Sequence, residues 1–453
     1  MNTKQLLELG IPNNLLKTTF ACLKKMSEEN FTAEQIVHFL KLVIQNSNEF
    51  KDHIIFSELA TGLANTQKKK AIECNIFCND LDQATIDQMQ TACNLPISLK
   101  AALMPDAHLG YGLPIGGVLA TQENTVIPYA VGVDIGCQMR LTVYYTHENF
   151  TKQGKLIQAL ERKTRFGIAN FQEKIDHQVM DDPDWDSCAI LRELKDNAWR
   201  QLGTSGDGNH FVEFGHYSSI RKEDHIIVHG PVQWALLSHS GSRNTGYKIA
   251  NHYSKISKQQ HPELSDKYKN LSWLTLDSQE GQEYWTAMNL MTKYAAACHE
   301  IIHEKVTKDI DQNVNFYYTT VHNYANNEVV DVEGEKVNCV VHRKGAIHAG
   351  KELINIIPGS MGDNTYIVAG LGNEKSLNSA SHGAGRKMSR TEAKEKFSKK
   401  EMLTYLEQKG ITLLSGEIDE APMAYKNIDD VMELQKDCVK IVGKFEPKIV
   451  RMS

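Results

Sequence analysis

The 453-residue sequence predicts an α+β fold, in which one large domain with a central sheet follows a helical N-terminal extension. Three observations support this prediction. Leucines recur at helical spacing in residues 1–72, short strand-like runs alternate with helical segments over residues 73–453, and glycine-rich loops separate those segments. Because 41% of the residues are hydrophobic, a domain of that size can bury a core.

Bulk composition excludes several classes of protein. The sequence lacks a run of about 18 apolar residues, the length that a membrane span needs, so no membrane association is expected. Nine cysteines, an odd number scattered along the chain, are a poor disulfide framework and favour a reducing compartment. Since no apolar signal segment follows the first lysine, the sequence predicts a cytoplasmic protein. The net charge of −6 gives no support for nucleic-acid binding through bulk charge.

The N-terminal extension, residues 1–72, is predicted to be helical. Thr32 followed three residues later by Gln35 is the pattern of a capping box, so a helix is expected to begin there and to reach Val43. The lysine run 68–70 is expected to be a solvated face or linker. We find no catalytic pattern in this segment.

The large domain, residues 73–453, is predicted to mix helices and strands. Apolar periodicity predicts helices over 81–92, 277–308 (continuous, or interrupted near Gly281), 389–408 and 429–442. Apolar runs bounded by turn residues predict strands at 226–229, 328–332, 337–341 and 366–369. Residues 333–335 join the second and third of these strands, which predicts a hairpin. Most polar residues suited to chemistry lie in the glycine-rich loops, where a ligand can approach the backbone.

Asp134 and Cys137 form a candidate metal-binding pair within the sequence VDIGC. A short apolar strand at 131–135 is expected to deliver both side chains to one loop. A carboxylate oxygen beside a thiolate can bind one metal ion or bridge two. The alternative is a turn-forming aspartate and a buried structural cysteine, and the pair taken alone favours that alternative.

Three histidines occur in similar glycine- or asparagine-flanked settings: His210, His239 and His322. A single histidine of this kind is usually a core residue with satisfied hydrogen bonds. Together with Asp134 and Cys137, however, the three provide five donors, enough for two adjacent cations. Two such cations can stabilise the attacking and leaving oxygens of a phosphoryl transfer. The donor types accept manganese, zinc or iron and do not choose among them.

A second set of loops is suited to binding a nucleotide. The sequence PGSMG at 358–362 has the small residues of an anion-binding loop, although neither a Walker A motif nor a GxGxxG dinucleotide loop is present. His382, within SHGAGR, has small neighbours that leave its ring accessible, and a neutral imidazole can attack phosphorus. Arg386 lies close enough in sequence to neutralise phosphate oxygens. A helix-capping loop with an incidental histidine is the alternative.

The loops follow one another in the order found in a known family. They read MPDAHLGYGLPIGG, GVDIGC, GDGNHFVEFG, SHSGSR, VHN, HRKGA, PGSMG and SHGAGRKMSR. From Ile76 to the C-terminus the chain resembles the RtcB-type RNA ligases, and motifs of this length are specific. The resemblance implies a catalytic domain of the RtcB type over residues 73–453. It also implies an enzyme of RNA repair or tRNA splicing that uses GTP and two manganese ions.

The resemblance assigns roles to matching positions. Asp134, Cys137, His210, His239 and His322 would bind the two manganese ions, with Cys137 bridging them. The guanylate pocket would comprise Asn209, His210, Phe211, Val212, Glu213, His322, Asn323, Pro358, Gly359, Ser360, Met361, Thr365, His382, Gly383, Ala384 and Gly385. Asp106, Arg243 and Lys344 would lie near the RNA ends.

The implied reaction joins an RNA 3′-phosphate or 2′,3′-cyclic phosphate end to a 5′-hydroxyl end in three steps. His382 takes GMP from GTP, and pyrophosphate leaves. GMP then passes to the RNA 3′-phosphate, after water has opened any cyclic phosphate. Finally the 5′-hydroxyl attacks the activated phosphate and releases GMP. RNA and GTP are the expected partners, and a monomer is the expected state.

Four features depart from the family pattern. Gln138 stands where the family usually has glycine, which predicts a less open metal loop. Ile347 and His348 replace the commoner threonine and basic residue after HRKGA. The near-terminal lysine that contacts the nucleotide has no obvious counterpart, and Arg451 is the best substitute, although arginine and lysine are not equivalent. The helical extension is not part of the family core.

Competing interpretations remain at this point. His299, Glu300 and His303 form an HExxH pattern, which is typical of zinc peptidases, at the end of a predicted helix where they are expected to be surface residues. The third metzincin ligand does not follow. A non-catalytic nucleotide- or RNA-binding paralogue, motivated by Gln138 and the missing lysine, is a second alternative. A metal-dependent phosphoesterase that does not use GTP is a third.

Overall fold

A computed structural model describes residues 1, 3–12, 15–66, 71–145, 152–167, 174–220 and 233–453. These residues form a mixture of helices and strands, which confirms the α+β prediction. The α-helices are α1 Thr3–Glu8, α2 Leu16–Glu28, α3 Ala33–Gln45, α4 Ser57–Thr66, α5 Gln83–Cys93, α6 Pro128–Val131, α7 Gln153–Lys163, α8 Ala189–Gln201, α9 Arg243–Gln260, α10 Gln279–Ile310, α11 Arg390–Lys396, α12 Lys399–Gln408 and α13 Ile428–Leu434. The strands are β1 Cys74–Ile76, β2 Ser98–His108, β3 Ile115–Gln122, β4 Thr125–Val126, β5 Gln138–Tyr144, β6 Phe211–Ser219, β7 Gln233–Ser240, β8 Leu274–Thr275, β9 Val314–Val321, β10 Asn323–Val332, β11 Glu335–Lys344, β12 Ala346–His348, β13 Ile354–Pro358, β14 Thr365–Gly370, β15 Ser379–Ser381, β16 Thr412–Ser415 and β17 Val439–Met452.

The chain forms two compact units. The smaller contains residues 1–71 together with 94–96 and 262–265, and the larger contains the remainder. The predicted division into residues 1–72 and 73–453 as separate domains stays a prediction. None of the described helices has the length and apolar character that crossing a bilayer requires.

The smaller unit is helical, and its core comes from α1, α2, α3 and α4 with the segments between them. Met26, Leu40 and Leu59 are fully buried in one apolar cluster. The capping box is confirmed, because the Gln35 N–H donates to the Thr32 hydroxyl at 3.3 Å and the Thr32 N–H donates to the Gln35 amide oxygen at 2.8 Å. The lysine run at 68–70 lies outside the described residues.

Two sheets organise the larger unit. The first has the strand order β1-β2-β3-β11-β10, and the second has the order β13-β14-β17-β6-β7-β5-β9 with β16 beside β17. The central strands β6, β7 and β5 pair in antiparallel fashion. Apolar side chains on one face of the second sheet pack against α7 and α10, where Leu160, Phe214 and Ile302 are fully buried. Because a β-strand is pleated, alternate residues of each strand in this sheet, including β7, face opposite sides of the sheet.

The predicted hairpin is confirmed. Strands β10 and β11 pair with Val330 opposite Val337 and Val332 opposite Glu335. Glu333 and Gly334 form the two-residue turn, and both have positive φ (55° and 91°). Consecutive positive φ angles match the twist that a two-residue hairpin needs. The predicted strand at 366–369 and the predicted helix at 81–92 are also confirmed, as β14 and α5.

The long helix α10 runs without interruption for 32 residues, so the break considered near Gly281 does not occur. Gly281 instead lies in the first turn, where its N–H donates to the capping hydroxyl of Ser278 at 3.1 Å. A Cβ at Gly281 would lie 1.9 Å from the Thr275 carbonyl oxygen. The glycine therefore allows the helix to begin tightly against the preceding turn.

Two helix predictions near the C-terminus are wrong in part. The range 389–408 contains two helices, α11 and α12, because Ser398 caps α12 through a capping box with Glu401. The range 429–442 is helical only as far as Leu434, and its end belongs to β17. Strand β17 pairs with both β14 and β6, so sheet hydrogen bonds override the local helical periodicity.

The strand predicted at 131–135 is also wrong. Pro128–Val131 forms the short helix α6, and a turn over Asp134 and Gly136 follows it. Proline at the first helical position favours the helix. Gly136 adopts φ 69°, which bends the chain into β5. The predicted strand at 226–229 lies outside the described residues.

Candidate active site

A cavity of about 1100 Å³ opens where the glycine-rich loops meet. Its lining includes Asn209, Phe211, His239, Pro358, Gly359, Ser360, Met361, His382, Gly383, Ala384 and Gly385. These residues come from segments that are distant in the sequence: the region around the ends of β6, β7 and β13 in the second sheet, and the loop after β15, which pairs with β12.

The five predicted metal ligands lie side by side, and one of them, His239, lines this cavity. Cys137 Sγ lies 3.3 Å from His210 Nε2 and 3.2 Å from His239 Nε2. His239 Nε2 lies 3.2 Å from His322 Nε2, and Asp134 Oδ2 lies 3.1 Å from His210 Nε2. The donors therefore form one continuous cluster. The ligand atoms of Cys137, His210 and His239 all lie within 4.8 Å of one another.

Neighbouring strands of the second sheet bring the ligands together. Cys137 immediately precedes β5, His239 lies on β7, and His322 lies between β9 and β10. Because β7 and β9 both pair with β5, the end of β7 and the end of β9 lie on either side of the start of β5. Gly206 permits close packing there, since a Cβ would lie 1.7 Å from the His210 ring.

The buried ligands favour a cation over a proton. His239 Nδ1 lies 3.1 Å from the Asn209 carbonyl oxygen, to which it donates, so the neutral ring presents the lone pair of Nε2 to the cluster. Burial, reinforced by neighbouring imidazoles, lowers the pKa values of His239 and His322 well below the usual range. Burial and the nearby Asp134 raise the pKa of the Cys137 thiol well above its usual value. A divalent cation would offset these costs by deprotonating the thiol and accepting the imidazole lone pairs, so the donor set fits a metal centre.

His382 lies beside this cluster, with its ring centroid 5.0 Å from that of His322. Its Nδ1 lies 2.7 Å from the Asp106 carboxylate, which also accepts the backbone N–H of His382 at 3.1 Å and of Gly383 at 3.3 Å. Asp106 is fully buried. Since Nδ1 donates to the carboxylate, the neutral ring carries its lone pair on Nε2. The arrangement orients an imidazole nucleophile at the cavity.

Comparison with known proteins supports what the geometry indicates. A family model described as tRNA-splicing ligase RtcB matches residues 88–187 and 170–452. The chain belongs to the RtcB family. It is 33% identical over 386 residues to the RNA-splicing ligase RtcB of Escherichia coli (strain K12), an alignment that covers 78% of this chain and 90% of that protein.

Archaeal RtcB proteins show a comparable likeness. The tRNA-splicing ligase RtcB of Nanoarchaeum equitans is 31% identical over 438 residues, covering 82% of this chain and 91% of that protein. The tRNA-splicing ligase RtcB of Thermococcus kodakarensis is 28% identical over 434 residues, covering 80% and 90%. The similarity therefore extends over most of the chain.

Several residues of the guanylate pocket expected in an RtcB protein lie behind the cavity lining. The Val212 side chain belongs to the apolar core on the opposite face of β6. Glu213 is buried on the same strand, and burial raises its pKa well above the usual range. Thr365 is buried at the start of β14. The Asn323 side chain donates to the Asp134 carbonyl at 3.1 Å and accepts the Gly345 N–H at 2.8 Å. It therefore holds the turn that carries Asp134 in place.

Arg451 is the clearest correction. Its guanidinium does not reach the cavity, because it donates to the Leu160, Glu161 and Thr164 carbonyls at the end of α7. Unpaired carbonyls at a helix C-terminus attract a cation. Arg451 therefore caps a helix and is not the replacement for a nucleotide-binding lysine.

The three residues expected near the RNA ends occupy different environments. Asp106 is buried behind His382, and its carboxylate contacts the His382 ring. Arg243, at the start of α9, donates to the Thr204 hydroxyl at 3.1 Å and to the Gly167 carbonyl. Lys344 is buried and donates to the Tyr111 carbonyl, and burial lowers its pKa to about 7. The sequence did not predict the contact between Asp106 and His382, because nothing in the loop MPDAH indicates which distant residue Asp106 contacts.

The two histidines of the HExxH motif do not lie on the surface, so that expectation is wrong for them. His299 and His303 are buried, and both ring nitrogens of each have partners in the protein. The Glu300 side chain is 44% exposed and lies 3.6 Å from His177. A zinc peptidase needs both histidines free to bind metal beside the glutamate, and this geometry does not provide that.

The remaining departures from the family pattern lie away from the cavity lining. Gln138 lies behind the turn that carries Asp134 and Cys137. Its amide donates to the Gly136 carbonyl at 3.3 Å and to the Thr292 carbonyl at 3.2 Å. It therefore anchors that turn to α10. His348 lies 3.6 Å from Glu328 on β10, and Ile347 is fully buried.

Proposed function

We propose that this RtcB-family protein is a GTP- and manganese-dependent RNA ligase. It joins an RNA 3′-phosphate or 2′,3′-cyclic phosphate end to a 5′-hydroxyl end through a histidine-GMP intermediate. The observation that carries the proposal is the position of His382. Its Nδ1 is held by buried Asp106 at 2.7 Å, and its ring lies beside the donor cluster. The printed names of the relatives, RNA-splicing and tRNA-splicing ligases, support the same assignment.

His382 acts as the nucleophile in the first step. Its Nε2 forms a bond to the α-phosphorus of GTP, the bond to the β-phosphate oxygen breaks, and pyrophosphate leaves. Asp106 holds the Nδ1 proton and stabilises the positive charge that develops on the ring, as a carboxylate behind a catalytic histidine does in other enzymes. The small loops Pro358–Met361 and Gly383–Gly385 line the cavity and leave room for the guanylate.

Two further transfers complete the reaction. An oxygen of the RNA 3′-phosphate attacks the guanylate phosphorus, the N–P bond breaks, and His382 is regenerated. The RNA 5′-hydroxyl then attacks the 3′-phosphorus, and GMP leaves with its bridging oxygen while the hydroxyl proton is lost. A cyclic phosphate is first opened by water, which leaves a 3′-phosphate.

Asp134, Cys137, His210, His239 and His322 would hold two manganese ions. When bound, such ions supply Lewis-acid stabilisation of charge on phosphate oxygens. The side chains contribute orientation, because the Asn209 carbonyl fixes the His239 ring and Asn323 braces the turn that carries Asp134.

Incubation with Mn²⁺ and α-labelled GTP tests the proposal. We expect a covalent label on the protein that is absent from His382→Ala. Addition of RNA with 3′-phosphate and 5′-hydroxyl ends should discharge the label and yield joined RNA. Hydrolysis of phosphate ends without labelling would instead indicate a phosphoesterase. Nucleotide binding with neither outcome would indicate a non-catalytic paralogue.

A further inference from the structure

A chain of buried hydrogen bonds runs behind the metal cluster and uses both histidines of the HExxH motif. The Thr142 hydroxyl lies 2.7 Å from His303 Nδ1, and His303 Nε2 lies 2.7 Å from the Ser238 hydroxyl. The same hydroxyl lies 2.6 Å from His299 Nδ1, and His299 Nε2 lies 3.1 Å from the Ser240 carbonyl oxygen. We call these five residues the buried relay.

Chemistry fixes the direction of every bond in the buried relay. A carbonyl oxygen only accepts, so His299 Nε2 must donate to Ser240. Burial lowers the pKa of His299 to about 3, so the ring is neutral and its Nδ1 accepts from the Ser238 hydroxyl. The Ser238 oxygen in turn accepts from His303 Nε2, and His303 Nδ1 accepts from Thr142. All donors therefore point the same way, and bonds aligned in series polarise and strengthen one another.

The buried relay ends on the strand that carries a metal ligand. Ser238 and Ser240 flank His239 on β7, so the pleat places their side chains on the face opposite the His239 ring. His299 and His303 lie one turn apart on α10 and contact that opposite face. The Ser240 carbonyl oxygen also lies 3.5 Å from Cys137 Sγ. Helix α10 is thus joined to the two residues that flank His239 and, through the Ser240 carbonyl, to Cys137.

We propose that His299 and His303 are positioning residues for the metal centre. They fix the end of β7 against α10, which holds His239 and the Ser240 carbonyl in place against Cys137. In addition, the His299 N–H draws electron density from the Ser240 carbonyl oxygen, which lies 3.5 Å from Cys137 Sγ, and so lessens its repulsion of a thiolate there. This inference rests on the proposed metal centre, and it assigns the HExxH motif a structural partner instead of a zinc ion.

Titration of the full-length protein with Mn²⁺, monitored by the electron paramagnetic resonance signal of free Mn²⁺ without GTP or RNA, tests the proposal. Loss of residues that orient metal ligands typically weakens binding by about 10–100-fold. We expect that loss for His299→Leu, and a smaller loss for His299→Gln, because an amide can still donate to Ser240 and accept from Ser238. His303→Leu and Ser238→Ala should also weaken binding.

Tyr294→Phe is the matched control. Tyr294 is buried on the same helix and donates to the Ala198 carbonyl at 2.7 Å, so the variant loses a buried hydrogen bond that does not involve β7. It should bind Mn²⁺ like the wild type. If His299→Leu does not fold, Ser238→Ala and His299→Gln decide the outcome. Wild-type affinity in all folded relay variants would overturn the positioning role alone. A wild-type protein that does not bind Mn²⁺ would overturn the metal centre, and the positioning role with it.

Discussion

At the scale of single residues, the proposed nucleophile, His382, depends on one buried carboxylate. Asp106 accepts three hydrogen bonds from His382 and Gly383, one of them from the imidazole Nδ1. Without a carboxylate at that position, the neutral ring is free to carry its proton on Nε2, where it blocks attack on phosphorus. Control of the tautomer is therefore the main contribution of Asp106.

Asp106→Asn should slow labelling of the protein by α-labelled GTP, by on the order of 10²–10⁴-fold, because the amide no longer enforces the reactive tautomer. Single-turnover labelling at saturating GTP measures this rate. Asp331→Asn, in the β10–β11 hairpin, is the matched control and should label at the wild-type rate. Unchanged labelling in Asp106→Asn would contradict the orienting role.

The buried side chain of Lys344 leads to a prediction of how the free energy of unfolding depends on pH. Burial lowers its pKa to about 7 in the folded protein, whereas an unfolded lysine has a pKa of about 10.4. Between these values the unfolded state binds more protons, so this residue makes the folded state relatively more stable as pH rises. The melting temperature of the wild type should therefore rise relative to Lys344→Met between pH 7 and pH 9. If the difference in melting temperature between the wild type and Lys344→Met is the same at pH 7 and pH 9, the Lys344 ammonium is not desolvated, which would contradict the structure.

At the scale of secondary-structure elements, the start of α10 provides a sharp test. Alanine usually stabilises a helix relative to glycine by about 1 kcal/mol. Gly281→Ala should nevertheless destabilise the protein by about 1–3 kcal/mol, because its Cβ would lie 1.9 Å from the Thr275 carbonyl oxygen and force the turn to move. Chemical denaturation measures the change.

Gly154→Ala in α7 is the control for this prediction. A Cβ there meets nothing within 4 Å, so the substitution should be neutral or stabilising. Equal effects at the two positions would mean that helix propensity, and not contact with the Thr275 turn, determines the response.

Elements were predictable from sequence where the signal is local. The Thr32–Gln35 capping box, the hairpin turn at 333–334 and the helix around 279–310 each depend on residues close together in the chain. The range 429–442 failed because β17 is fixed by pairing with β14 and β6, which lie far away in sequence. Similarly, proline and glycine around 128–136 form a helix and a turn where an apolar run suggested a strand.

At the scale of the whole molecule, the site depends on sheet order, which local patterns do not encode. Motif resemblance selected the residues of the metal cluster, but their contacts follow from the pairing of β7 and β9 with β5. The same limitation explains Arg451, whose position near the C-terminus gave no indication that it caps α7. The burial of His299 and His303 likewise depends on where α10 packs.

Metal binding should stabilise the whole protein. Because the five donors converge only in the native state, Mn²⁺ at ~100 times its dissociation constant should add about 2.7 kcal/mol per bound ion to the free energy of unfolding. Calorimetry with Mn²⁺ and with a chelator measures the shift in melting temperature. Cys137→Ala should remove most of the shift, and an undiminished shift in that variant would place the bound metal elsewhere.

The central claim is that five donors hold a pair of cations beside His382. Anomalous diffraction at the manganese edge from crystals grown with Mn²⁺ tests it most directly. We expect two peaks about 3.5–4 Å apart, the separation common in two-metal sites, both within bonding distance of Cys137 Sγ and divided among Asp134, His210, His239 and His322. Peaks that avoid Cys137, or that lie at His299 and His303, would contradict the account.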